Sequence, residues 1–394
     1  MDSYHISRIE YCKDWRFWFL LLVVNMSGNL FFTYILPYKL MVSLVFVGIA
    51  YYCIFKTGLS NYVYMLLLLW AIILLGQFFY TSEGYSFSSN IHAWMKISVG
   101  IMTVILLGNK IVAYYNRIIY LISIVSLVCF AYNVMGGIIP YIPIRDAALD
   151  GGQAMRVTSV FYTQLYNLEA GGGFLLRNCG LFWEPGAFQG FVNLAIFFEI
   201  VTVANYTRGW YVKMAVLVVT VLTTISTGGF IVLALNILFF LYKTKQLGFD
   251  AKILIVSFLL LVFVYLFFSL DFLFSKISSD SHRLGVGADD FSFCIETMFG
   301  FGFGAESIAN SAIKSASSLF NLIRYVGLVG FVLYFFPALN ARFYSEQLVF
   351  LVILALLLMN EPFITNGTFW WGVPWIWKYI ATNHSNGLET TSIE

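Results

Sequence analysis

The chain has 394 residues, of which 60% are hydrophobic, 19% aromatic and only 11% charged. Soluble domains carry about 25% charged residues, and 40 Phe, 25 Tyr and 10 Trp exceed what a water-soluble core of this length can hide. The net charge is +2, with no basic stripe and no zinc-ligand spacing, so nucleic acid is not an expected partner and the bilayer is the expected solvent.

A spanning helix needs about 20 apolar residues, with a range of about 17–25. Runs that meet or approach this length are 16–36, 38–55, 62–80, 93–108, 118–139, 187–205, 210–226, 228–242, 253–270, 318–337 and 347–365. A shorter, Trp-rich run follows near 369–381. The expected fold class is an all-α polytopic membrane protein with 11–12 transmembrane helices, a single integral membrane domain over 1–394. Lys13 and Arg16 precede the first run, as in a signal peptide, but no small-x-small cleavage site follows. The first helix is therefore expected to be retained.

With the N-terminus inside, the inner segments hold Arg8, Lys13, Arg16, Lys56, Lys110, Arg117, Arg208, Lys213, Lys243, Lys245, Lys252, Arg342 and Lys378. The short outer ends hold only Lys39 and Lys96, the asymmetry that orients membrane helices. Two long outer segments remain, about 140–186 and 271–317. Both are rich in aromatic and aliphatic residues, unlike disordered linkers, so short helices packed on the outer face are expected there. The spans themselves carry little charge, with Glu199 near an inner end and Lys96 and Arg324 near outer ends, which argues against an ion-coupled carrier.

The polar chemistry concentrates in the outer segments. The first cluster is RNCGLFWEPGAFQGF, 177–191. Proline is favoured at the first position of a helix, which would make Glu184 the N-cap of the span that follows Pro185. Its carboxylate then faces the positive helix end, where free amides also attract phosphate. Arg177 can pair with Glu184 or hold a phosphate through its planar fork. A structural cap with an Arg–Glu bridge and a binding site both remain open.

The ISTGGF stretch, 225–230, is a tight turn in which Ser226 and Thr227 can cap the next helix and Gly228-Gly229 leave its amides exposed. The second outer segment contains SDSHRLGVGADDFSFCIETMFGFGFGAES, 279–307, with Arg283, Asp289 and Asp290. Its GFGFG allows a tight backbone path, but it follows no strand of a βαβ unit, so it is not read as a nucleotide loop. NEP (360–362) with TFWW (368–371) reads as an outer helix end with an aromatic belt. Cys179 and Cys294 fall in the two outer segments, and their spacing alone does not determine whether they pair.

The chain resembles the O-antigen polymerase family of bacterial surface-polysaccharide assembly. RNCGLFWEPGAFQGF is similar to that family's Arg-x-x-Gly-x-Phe-Trp-Glu-Pro-Gly-x-Phe stretch. The ISTGG turn, the HRLG segment followed by an acidic-apolar helix and FGFG, and SSLFNLIRYVGLVG (317–330) with Asn321 agree with it more loosely. Related O-antigen ligases tend to carry a His just before that Asn, where this chain reads KSASSLFN.

The resemblance implies glycosyl transfer at the periplasmic face of the bacterial inner membrane. Donor and acceptor would both be undecaprenyl-pyrophosphate-linked glycans. A chain-length regulator is implied as partner, with surrounding membrane lipids and with neither cofactor nor metal. Arg177, Arg283 and Arg324 would face the pyrophosphate, where charge develops. Glu184 would orient or deprotonate the acceptor hydroxyl, ahead of Asp289, Asp290 and Glu361. Trp183 would stack on sugar, and Ser226, Thr227 and Asn321 would line the substrate. A ligase-type glycosyltransferase and a non-enzymatic flippase of lipid-linked oligosaccharide are the alternatives.

Overall fold

The computed structural model describes residues 13–29, 38–79, 86–136, 148–149, 153–156, 162–168, 173–203, 206–244, 298–300, 302–303, 318–341, 345–361 and 363–390. The expected span 253–270, most of the segment 271–317, and Arg283, Asp289, Asp290 and Cys294 lie outside the described residues.

Among the described residues, five α-helices come first: α1 (Trp15–Met26), α2 (Tyr38–Tyr52), α3 (Asn61–Gly76), α4 (Phe87–Leu107) and α5 (Ile111–Val134). Four strands follow, β1 (Ala148–Leu149), β2 (Gln153–Arg156), β3 (Tyr162–Leu168) and β4 (Gly173–Gly180). Then come α6 (Pro185–Thr202), α7 (Arg208–Thr224) and α8 (Thr227–Lys243). The described remainder is α9 (Ser318–Leu339), α10 (Ser345–Asn360), the single turn α11 (Phe363–Asn366) and α12 (Val373–Thr390). Among the described residues, five helical stretches are long and apolar enough to cross a membrane: Tyr38–Thr57, Asn61–Phe79, Phe87–Val134, Pro185–Thr202 and Ser318–Leu339. The protein is thus a mostly helical membrane protein. Phe87–Val134 holds two expected spans, parted by a 3-10 turn at Gly108–Lys110.

The expectation of short helices in 140–186 is not met. The described residues there form an antiparallel meander in the order β1-β2-β3-β4. The reason is local. Glycine runs at 151–152 and 171–173 interrupt any helix, while YTQLYNL and GFLLRNCG are of strand length and put alternate residues on opposite faces. In the β3–β4 pairing Gln164 stands opposite Arg177 and Thr163 opposite Asn178, next to an irregularity at Tyr162/Thr163.

The chain divides into two compact units, Ile119–Gly285 and the combination of Met1–Ile118 with Val286–Glu394. In the second of these, Asp14 caps α1, accepting from the Arg16 amide at 3.1 Å. The Arg16 side chain, Lys110 and the Tyr114 hydroxyl also donate to its carboxylate. Its core is aromatic: Tyr115 stacks on Phe369 at 4.8 Å, Phe350 on Trp377 at 4.8 Å and Phe363 on Trp370 at 3.9 Å.

Helix α9 is not continuous. Gly327 has φ +66° and ψ −174°, a conformation essentially reserved for glycine. The freed backbone groups are taken up by the segment ahead of the helix. The Val329 amide donates to the Met298 carbonyl at 3.1 Å, and the Gly302 amide to the Tyr325 carbonyl at 3.0 Å. The Gln77 carboxamide donates to both Phe299 and Tyr325 carbonyls, and Asn90 bonds the amide and the carbonyl of Phe303. Non-helical backbone at membrane depth persists only where protein satisfies it in this way. The GFG of the sequence thus has a structural use.

Candidate functional site

In the unit Ile119–Gly285 the chain leaves β4, turns, and starts α6, and the RNCGLFWEPGAFQGF stretch makes this junction. Gly180 takes φ +57°, and the Phe182 amide closes the turn on the Cys179 carbonyl at 3.0 Å. The Phe182 ring folds back over the first turns of α6, stacking on Phe188 at 5.6 Å and Phe191 at 4.2 Å. An apolar residue ahead of the cap that packs on the next turn fixes the angle at which the chain enters the helix.

Pro185 stands in the first turn and Glu184 is the N-cap, as expected, with extended backbone. The carboxylate, however, makes no capping hydrogen bond. It accepts the indole N–H of Trp183 at 2.7 Å instead. No ion pair joins Arg177 to Glu184 among the described residues, so the bridge that the sequence left open as one alternative is not formed, and the two side chains have separate arrangements. Trp183 and Glu184 are both half-buried.

Arg177 is only 7% exposed, and its Nε donates to the Thr224 carbonyl at 3.0 Å. That carbonyl belongs to the last turn of α7, where a cation meets the negative helix end. The neighbouring Asn178 donates to Thr223 Oγ1 at 3.1 Å and Ser126 Oγ at 3.3 Å, and accepts from the Gly180 amide. Strand β4 is thereby tied to α5 and α7 by two consecutive side chains.

The ISTGGF turn lies directly beyond Thr224. Ile225 adopts a left-handed conformation with φ +48°, unusual for a β-branched residue. Ser226 then caps α8, its hydroxyl accepting from the Gly229 amide at 3.4 Å. Ser226 is therefore committed to the cap, one of its two expected uses, while Thr227 is the first residue of α8. The structure thus gathers Arg177, Trp183, Glu184, Ser226 and Thr227 in the unit Ile119–Gly285.

Asn321 and Arg324 lie on the first half of α9, in the other unit. Asn321 is buried and Arg324 half-buried. Beside them the Ser318 hydroxyl and amide both reach the Glu361 carbonyl, and the Ile364 amide donates to Ser318 Oγ. This clasp fixes Glu361 against the start of α9, and the Glu361 side chain is buried. No group of three or more His, Cys, Asp or Glu that could hold a metal occurs among the described residues.

Sequence reasoning missed Asn178, the Gln77 clamp and a set of carboxamides between α6 and α8. It followed charges inside the spans and passed over neutral amides, although Gln189 and Asn193 are four residues apart in an otherwise apolar run.

Fold and junction together define a mostly helical, polytopic membrane protein with a carboxylate and a buried guanidinium at one β–α junction. The chain matches no protein-family model, no curated protein and no solved structure.

Proposed function

We propose that the protein polymerises undecaprenyl-pyrophosphate-linked repeat units into O-antigen at the periplasmic face of the bacterial inner membrane. The observation that carries this reading is Glu184: a carboxylate at a helix start that does not cap the helix and is oriented by the Trp183 indole. A carboxylate held this way is suited to orient an acceptor hydroxyl and take its proton.

In the reaction, the acceptor sugar oxygen attacks the anomeric carbon of the donor glycan. The new C–O bond forms as the bond from the anomeric carbon to pyrophosphate breaks. The hydroxyl proton passes to Glu184, and undecaprenyl pyrophosphate leaves. Its developing charge needs preorganised donors. Arg177 is the first of these, because its bond to the Thr224 carbonyl fixes the guanidinium plane. The amides at the start of α6 add to it. Arg283 is proposed as its partner from the second long segment, with Thr227 toward the substrate. Trp183 offers an aromatic face to a sugar, and the apolar spans suit the lipid tail.

The test is complementation of a deletion strain. Glu184→Ala, Arg177→Ala and Arg283→Ala are each expected to insert normally and to abolish the ladder of long lipopolysaccharide chains. A normal ladder from Glu184→Ala would remove the carrying observation.

A further inference from the structure

Helices α6 and α8 run side by side in one register. Gln189 meets Gly229, Asn193 meets Gly229 and Asn236, Phe197 stacks on Phe239 at 5.7 Å, and Lys243 donates to the Ile200 and Val201 carbonyls. The offset between partners stays near forty residues along the whole contact, so the helices are parallel and start at the same end.

Between them runs a ladder of three carboxamides, Gln189, Asn193 and Asn236, each 0% exposed. Asn193 Nδ2 donates to Gln189 Oε1 at 2.8 Å and to the Gly229 carbonyl at 3.1 Å. Asn236 Nδ2 donates to the Asn193 carbonyl at 3.1 Å and to Asn193 Oδ1 at 3.3 Å. Two main-chain carbonyls, which can only accept, fix which way both Asn amides point. Gly229 makes the close approach possible, since a Cβ there would come within 2.9 Å of the Gln189 side chain.

The arrangement leaves Gln189 Nε2 and Asn236 Oδ1 buried with no hydrogen-bond partner among the described residues. Each such atom lowers stability. Leucines of similar volume would pack the same interface without that loss. What they would not supply is direction, and a buried polar group that specifies register is a well-attested use of such a loss.

We propose that Asn193 is a positioning residue: the ladder locks the register of α6 on α8 and so holds Glu184, at the start of α6, against the Ser226 turn at the start of α8. Gln189 is one turn beyond Pro185 and Gly229 lies in the first turn of α8, so the lock acts directly beneath both helix starts. The catalytic half of this proposal rests on Glu184 being the reacting carboxylate; the mechanical half does not.

The full-length protein in detergent micelles, with Asn193→Leu, Asn236→Leu, the double variant and the triple variant that adds Gln189→Leu, tests both halves. Thermal melting should be unchanged or raised in the triple variant, whereas the variants that keep Gln189 leave its carboxamide or that of Asn193 short of a partner and melt earlier. Amide hydrogen exchange should quicken in the first turns of α6 and α8 and nowhere else. With lipid-linked repeat units as substrate, kcat should fall on the order of ten- to a hundredfold at steady KM, the scale of a small misplacement of a reacting group. The double variant should be no worse than the worse single one, as for residues acting as one unit. Unchanged exchange in both single variants, or a melting loss of the triple variant that parallels its activity loss, would overturn the proposal. If the wild-type protein forms no polymer, the polymerase reading fails, while the exchange data still decide whether the ladder locks the helices.

Discussion

Glu184 separates two chemistries at a single atom pair. A side-chain cap would be satisfied by any acceptor, so Glu184→Gln would then work nearly as well as the native residue. Because the carboxylate bonds the Trp183 indole and not the helix amides, Glu184→Gln should fold normally and lose polymerisation as Ala does, by roughly 10²–10⁴-fold. Initial rates with purified protein check this, and near-native turnover by the Gln variant would contradict it. At Arg177 the planar fork matters. Arg177→Lys keeps the charge and loses the Nε bond to Thr224, so long chains should vanish although the net charge is unchanged. Asp14 gives a pH dependence. Burial alone would raise its carboxyl, but hydrogen bonds from Arg16, Tyr114 and Lys110 outweigh burial and hold it below the usual carboxylate range. A folded-state value below the unfolded one means that the contribution is present at neutral pH and is lost as pH falls below about 4. Asp14→Asn should therefore melt earlier than wild type at pH 7, and the gap should close in melts at low pH.

Among the elements, the helices were legible because their signal is long and repeated over many residues. The expected runs 187–205, 210–226, 228–242 and 318–337 become α6, α7, α8 and α9 within a few residues at each end. Pro185 announced the start of α6 in advance, and Ser226 the start of α8. The meander was not legible in the same way. Its aromatic residues suggest packing but not period, and the signal that separates strands from short helices there lies in the glycine runs. The break in α9 was hidden for another reason: a glycine in an apolar helix looks alike whether it is helical or not, and the break at Gly327 shows in its dihedrals and in the bonds of its neighbours, Val329 with Met298 and Tyr325 with Gly302. Gly327→Ala would put a Cβ against the Met298 carbonyl in a region of backbone space essentially closed to it. It should destabilise by at least ~1–3 kcal/mol, read as an earlier melt of the purified protein. A variant melting at the wild-type temperature would mean that the helix can run straight.

At the scale of the molecule, composition already required a membrane solvent, and the described helices satisfy it. Of the candidate site, the sequence made the motif visible but not the pairing within it. Arg177 and Glu184 looked like each other's partners because they are the only charges in their stretch. Folding sends the guanidinium to Thr224, at a helix end 47 residues on, and the carboxylate to the adjacent Trp183 indole. The most direct measurement of the proposed function is deletion of the gene followed by electrophoresis of the cell's lipopolysaccharide. Loss of the polymerase should leave lipid A core bearing a single repeat unit, with the ladder restored by the wild-type gene. Core with no repeat attached would point to a ligase, repeat units stranded on the inner leaflet to a flippase, and an unaltered ladder would contradict the reading outright.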